Sequence, residues 1–429
     1  MRLIYTLLFY LLTPIILLRL YWRGFKAPEY RKRWKERLAI YQEKFPNDVI
    51  WIHAVSVGEA EAVFPLVKRL QQQYPSTQFL LTTTTPTGSA RVKDVLADTV
   101  SHVYLPYDLP CVVNRFFAAF KPKIAIVMEK EIWPNLYASC AKNNIPLLII
   151  NARLSANSAK AYKKIPALVK PALSAVSQIA TQTEEDRQRF IEIGAKGNTT
   201  KVSGNIKFDL SLGNDISKQA NKIKIQLFSE RFVWLIASTH EKEEEIFFDI
   251  YPQLKKQIPE LLLMIVPRHP ERFNQVKQIA EKMQLNTCIR SQNQQCLVET
   301  DVYIADTMGE LKLLYGVADI CFVGGSMVPV GGHNILEPAA VGVPIMFGPY
   351  MVNFKDIVRN VLDLKAAIQC ENKDMLIETA LHLYRNAAYR NEIVARAKQF
   401  VISNQGATEI TAQTISGLMA NDSSQIKES

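Results

Sequence analysis

The sequence contains no CxxC pair, no HExxH, no GxxxxGK[ST] and no GxGxxG. The first two absences remove the common zinc frameworks. The third excludes a P-loop and the fourth the dinucleotide fingerprint. Six cysteines, scattered from Cys111 to Cys370, sit largely in apolar strand or helix patterns, so they read as reduced, buried thiols. Low-complexity tracts are scarce. With 21% charged and 48% hydrophobic residues, the chain is a folding one rather than a disordered one. Its 429 residues call for two or three domains.

The net charge of +10 is uneven: residues 1–37 hold nine Lys/Arg against two acids, and the remainder is close to neutral. A nucleic-acid surface would spread its excess over a folded domain, so no nucleic-acid partner is expected. Here the excess adjoins an apolar run, Leu3–Leu18. Sixteen helical residues rise roughly 24 Å, slightly short of a ~30 Å hydrocarbon core. Pro14 is placed to kink the run. A secretory signal peptide is the competing reading, but only Arg2 precedes the run and no small-x-small cleavage site follows it. Arg19, Arg23, Lys26, Arg31, Lys32, Arg33, Lys35 and Arg37 favour retention on the cytoplasmic side, beside anionic lipid head groups.

Beyond residue 37, strand-like runs alternate with helical patterns, the signature of parallel α/β sheets. The first series has strands at Val49–Val55, Gln78–Thr84, His102–Leu105, Ile124–Met128, Pro146–Asn151, Ile179–Thr181 and Lys201–Val202. Helices are expected over Ala60–Tyr74 and Asn135–Lys142, with Pro65 bending the first. A polar stretch, Phe208–Glu230, suits a linker with an exposed helix. The second series has strands at Phe232–Thr239, Leu261–Val266, Val302–Thr307, Asp319–Ser326 and Val343–Gly348. Ser238 and Glu241 fit a capping box for the helix after the first of these. The expected architecture is two doubly wound domains with a cleft between them. The last helix returns towards the first domain, and Asn421–Ser429 forms a polar tail.

The stretch richest in candidate chemistry is Asp319–Phe354. A strand ends at Gly324-Gly325, and Gly331-Gly332-His333 follows with Asn334 as a helix cap. Glycines let backbone amides approach a phosphate, and a helix N-terminus adds about half a positive charge. Glu337, one turn in, suits a ribose hydroxyl. The bland alternative is a tight structural turn. Two further strand ends resemble this one: Pro267-Arg268, where an arginine suits an anion, and Met308-Gly309-Glu310. Together the three turns favour nucleotide binding.

In the first series, Glu59 stands where a strand hands over to a helix, behind Gly58. It serves either as helix-dipole stabilisation or as a base opening to a ligand. His53 is a candidate for the same turn or for the core. Glu129 and Glu131 end another strand on one side, with Lys130 opposite and able to neutralise them. Lys207 lies near the domain junction, and Thr82–Ser89 reads as a polar, ligand-facing loop.

In order, SVGE, TPTGS, YLPYD, EIWPN, NARLS, PRHPERF, DTMGELKLLYG and GGHNILEP span nearly the whole chain. The chain thereby resembles the 3-deoxy-D-manno-octulosonic acid (Kdo) transferases of lipid A assembly, with Lys130 where the family usually has threonine. The resemblance implies a GT-B-type glycosyltransferase of two Rossmann-like domains facing a cleft, with an N-terminal membrane-anchor helix. It implies residues 1–37 as anchor and basic flank and 38–207 as the acceptor domain. Residues 208–230 would be a linker, 231–405 the CMP-sugar domain and 406–429 a tail. It implies Glu59 as general base, and Glu129 and Lys207 as transition-state stabilisers. Pro267, Arg268, Met308, Gly309, Glu310, Asn334, Ile335, Leu336 and Glu337 would bind CMP. The implied reaction is inverting transfer from CMP-Kdo to a lipid A precursor of the lipid IVA type, at the cytoplasmic face of the inner membrane. No DxD motif is present, so no metal and no cofactor are expected. The competing readings are a GT-B-like UDP-sugar enzyme, such as an epimerase, and a membrane-tethered nucleotide-binding scaffold.

Overall fold

The computed structural model describes residues 1–210, 213 and 215–425. Parts of the expected linker (211, 212 and 214) and of the expected tail (426–429) lie outside the described residues. The chain divides into two compact units, Met1–Asp209 with Asn404–Ser429, and Leu210–Ser403.

The first unit is built on a seven-stranded sheet: β1 (Ile50–His53), β2 (Phe79–Thr83), β3 (Ser101–Tyr104), β4 (Ile124–Met128), β5 (Leu147–Ala152), β6 (Gln178–Thr181) and β7 (Thr200–Val202). Its order is β3-β2-β1-β4-β5-β6-β7, and every pairing is parallel. Parallel strands covered on both faces must be apolar throughout, and β4 and β5 are buried at every position. Their side chains alternate between two cores. Trp51, Leu147 and Ile149 join Phe116 and Phe120 on one face, while Ile50, Ile52, Leu148 and Ile150 join Val63 and Leu66 on the other.

The second unit repeats the plan with β8 (Phe232–Thr239), β9 (Leu261–Pro267), β10 (Thr287–Ile289), β11 (Val302–Ile304), β12 (Ile320–Val323), β13 (Ile345–Phe347) and β14 (Ile368–Gln369), in the order β10-β11-β9-β8-β12-β13-β14. Every pairing in this sheet is parallel too, so its seven strands present their carboxyl ends at one edge.

Several details differ from expectation. The C-terminal segment is not a tail: Ala407–Gln425 is a helix whose Ala407, Ala412 and Ile415 complete the core of the first unit. Asp209 fastens its start by accepting hydrogen bonds from the Gly406 and Thr408 amides. Ser238 caps nothing; it stays in β8, at φ 57°, and the next helix begins at Glu244. There the buried Glu243 carboxylate accepts from the amides of Gly325, Ser326 and Met327, so it ties the glycine loop to the end of β8. The Thr82–Ser89 stretch is largely structural: Thr82 and Thr83 are buried, and Thr85 caps the helix Pro86–Leu96.

The N-terminal helix runs from Arg2 to Lys26, well beyond Leu18, and continues through Pro14. At roughly 37 Å it is long enough to cross a bilayer. Its first turns are docked on the first unit. Tyr5 donates to Asp108 at 3.0 Å, Thr6 to Asn135 at 3.1 Å, and Tyr10 meets Cys111 at 3.1 Å. Leu3, Leu7, Leu11 and Ile15 face outward, exposed. The basic flank is partly spent inside the protein. Arg37 is buried and donates to the Thr84 carbonyl, and Arg33 pairs with Glu36 while bonding Ser89 and the His102 carbonyl. Lys32 pairs with Glu29, and Arg31 lies over the Phe25 ring. Of the cysteines, Cys111 is exposed and the other five are buried, all as free thiols.

Candidate active site

In the first unit, the helix Val57–Gln73 starts directly after the β1 turn, with Ser56 at its N-cap and Glu59 in its first turn. This is the S-x-x-E spacing that returns a carboxylate towards the cap. Glu59 Oε2 accepts the Val55 amide hydrogen at 2.8 Å, and its other oxygen lies 3.4 Å from the Ser56 hydroxyl. Dipole stabilisation is therefore present, but it does not relax the carboxylate. Burial, reinforced by Glu129 and then Glu131, pushes Glu59 up to about 7, against the Val55 hydrogen bond and Lys207. Beside it Gly58 is exposed, and a Cβ added there would meet nothing within 4 Å. The glycine leaves open space next to the acid.

Glu129 follows β4 with a left-handed backbone, φ 58°, and Lys207 Nζ reaches its Oε1 at 3.2 Å. Lys207 is positioned by Asn151, whose Oδ1 accepts the Ile206 amide, and by Asn205, which accepts its own. Lys207, rather than Lys130, neutralises Glu129. Lys130 is exposed and acts instead on Glu131, whose carboxyl burial raises. The structure thus brings Glu59, Glu129, Glu131 and Lys207 together at the carboxyl edge of β1, β4 and β5. His53 stays in the core: it is buried, hydrogen-bonded to Thr82 and pushed down to about 4 by desolvation, so it is neutral.

In the second unit, Pro267 ends β9 and the Arg268 amide donates to the Thr239 carbonyl. Its neighbours Arg272 and Arg290 are locked to Glu244 and Glu310, whereas Arg268 forms no ion pair among the described residues. Met308 is exposed, and Gly309 needs its positive φ of 86° for the turn beyond β11. The Glu310 carboxylate is held by Arg290 and Thr307, and the Arg290 hydrogen bonds push it below the usual carboxylate range. Asn334 Oδ1 caps the Leu336 amide, as its position predicts. Ile335 and Leu336 are buried, so they offer a ligand only their backbone, and Glu337 lies in the first turn of a six-residue helix. These segments share the carboxyl edge of β9, β11 and β12.

Two features of this edge escaped the sequence reading. Glu243 opens a run of three glutamates, Glu243 to Glu245, after Glu241 and Lys242, with nothing in the sequence to mark one as buried. His240 and His269 lie near strand ends, as His333 does, and the clue was their shared position after three strands.

Comparison with known proteins adds the decisive observation. A model of the 3-deoxy-D-manno-octulosonic-acid transferase (kdotransferase) family matches residues 32–210. The 3-deoxy-D-manno-octulosonic acid transferase of Haemophilus influenzae is 39% identical over 411 residues, covering 95% of this chain and 96% of the relative. The chain belongs to the Kdo transferase family. It is a glycosyltransferase. The corresponding transferase of Bordetella pertussis is 32% identical over 85% of this chain and 86% of its own. Among solved structures, the UDP-GlcNAc 2-epimerase of Neisseria meningitidis superposes with a TM-score of 0.57 at 15% identity, covering 86% of this chain and 99% of that one. That likeness is one of fold, the GT-B type of two Rossmann-like units.

Proposed function

We propose that this transferase moves Kdo from CMP-Kdo to a lipid A precursor of the lipid IVA type, with inversion and with Glu59 as general base. The observation that carries the reading is the Glu59 carboxylate, raised to about 7 beside an open glycine. A base titrating near neutrality is both available and strong enough to take a hydroxyl proton. The acceptor hydroxyl loses its proton to Glu59 as its oxygen bonds to the anomeric carbon. The bond from that carbon to the phosphate oxygen breaks, and CMP leaves with the electron pair. One base and one direct displacement invert the anomeric centre. Glu129 keeps Lys207 in place beside Glu59, where its charge offsets the negative charge that develops.

Within the second unit, Arg268 and the amides of the glycine loop suit the donor phosphate. Met308–Glu310 and Asn334–Glu337 are assigned to the nucleoside. Side chains and amides supply the positive charge, so the reading uses no resident metal. The docked apolar helix suits an acceptor whose acyl chains stay in a bilayer, and its basic neighbours suit anionic lipids at the cytoplasmic face of the inner membrane.

The test is mass spectrometry of the product from the purified full chain, CMP-Kdo and a tetraacylated precursor. Kdo added to the lipid is the expected result. UDP-sugar turnover with no Kdo transfer would replace this reading with the epimerase-like one.

A further inference from the structure

Three of the six histidines meet at one place in the second unit. His240 follows β8, His269 follows β9, and His333 closes the glycine loop after β12. The His240 and His333 Nε2 atoms are 2.8 Å apart, with rings parallel within 7°. His269 stands edge-on to His240, centroids 5.4 Å apart. A Cβ on Gly325 would come within 3.3 Å of both paired rings, so the glycine makes room for them.

The location is distinctive. From β8 the chain moves to β9 on one side, and it later returns to β12 on the other. The junction of β8 and β12 is therefore the topological switch point, where open α/β sheets bind ligands at their carboxyl edge. His240 and His333 come from the two strands that flank it.

The surroundings suit an anion. Burial, and then the charges of His269 and Arg268, lower the affinity of both rings for a proton, with Arg272 adding to this at His240. The nearby carboxylates are already committed: Glu244 to Arg272 and Thr239, Glu243 to the loop amides and the His240 amide. Two neutral imidazoles meeting through Nε2 can share only one proton, one donating and the other accepting. Among the described residues neither ring is hydrogen-bonded to a carboxylate.

We propose that the His240–His333 pair is an anion-binding pincer for the donor, in which an anionic oxygen group replaces the ring–ring hydrogen bond, the accepting Nε2 takes one proton from solvent to make that ring an imidazolium, and both Nε2–H groups donate to the anion. The group is either the phosphate of the nucleotide or the carboxylate of the transferred sugar acid. The inference rests on the donor assignment above.

The test is calorimetric titration of the full chain in detergent, without acceptor, in two buffers of different ionisation enthalpy. The probes are cytidine, CMP and CMP-Kdo; the variants are His240→Gln and His333→Gln, whose amides donate but cannot take up a proton. If the pincer holds phosphate, CMP binding to wild type takes up a proton and cytidine binding does not. Both variants then lose that proton and bind CMP about tenfold more weakly. If it holds the carboxylate, CMP binds all three proteins alike without proton uptake, while CMP-Kdo binding takes up a proton only in wild type. KM for CMP-Kdo then rises about tenfold in the variants with kcat nearly unchanged. Wild type binding CMP and CMP-Kdo with no linked proton overturns the proposal, whatever the variants do. Wild type binding neither would overturn the donor assignment itself.

Discussion

Glu59→Gln separates catalysis from stability. In the folded protein the carboxyl is raised from 4.5 to about 7. At about 1.36 kcal/mol per pH unit, keeping it ionised above pH 7 costs the folded state about 3 kcal/mol. A group raised on folding contributes its stability below the unfolded value and loses it as pH climbs to the folded one. The wild type should therefore lose stability relative to the variant between about pH 4.5 and 7. The amide of glutamine carries no charge, and its oxygen still accepts the Val55 hydrogen bond. The variant should then match wild type near pH 4.5 and exceed it by up to ~3 kcal/mol at pH 8, read by urea unfolding or a raised Tm. Its turnover should fall at least ~100-fold, the low end for a general base. Wild-type kcat/KM should drop about tenfold per pH unit below 7, because only the ionised form accepts the proton. A stability difference that does not grow from pH 5 to pH 8 would refute the claim that burial strains this carboxylate. An unchanged turnover would refute its role as base.

Gly58→Ala should stabilise the protein by about 0.5–1 kcal/mol, since alanine suits a helix and its Cβ meets nothing; the same substitution should lower kcat/KM by filling the space beside Glu59. Glu129→Gln removes a charge that raises Glu59 and releases Lys207, so the acidic limb of the pH–rate profile should move to lower pH. Arg268→Ala should weaken CMP inhibition and raise KM for CMP-Kdo about tenfold, measured as Ki and KM at fixed acceptor, with Glu59 titration undisturbed. Incubation with a chelator such as EDTA, followed by a transfer assay, should leave activity intact.

The strands were legible wherever burial on both faces demanded an unbroken apolar run. Ile124–Met128 and Phe232–Thr239 match the expected bounds residue for residue, and the other first-unit strands agree within one or two positions. β10 and β14 were not, because TCI and IQ at sheet edges are too short for a period. The site was legible where a residue's placement follows from its position after a strand, as for Glu59, Glu129 and Arg268. It was not legible where partners come from far along the chain. Lys207 neutralises Glu129 from 78 positions away, and no local pattern distinguishes it from the adjacent Lys130. The Ser238 capping box failed for a related reason: Glu243 satisfies the distant glycine loop, and the helix waits until Glu244. The basic flank misled in part, because charge counting cannot show Arg37 turning inward.

The oily rod at the start of the chain is riveted, not leashed. Tyr5, Thr6 and Tyr10 grip residues about a hundred positions or more downstream, two of them in the loop before the helix Pro110–Phe120 or at its first turn. A leash would let its cargo tumble; rivets hand the attitude of the rod directly to the unit that carries Glu59. Whatever direction the rod takes, the first unit takes with it.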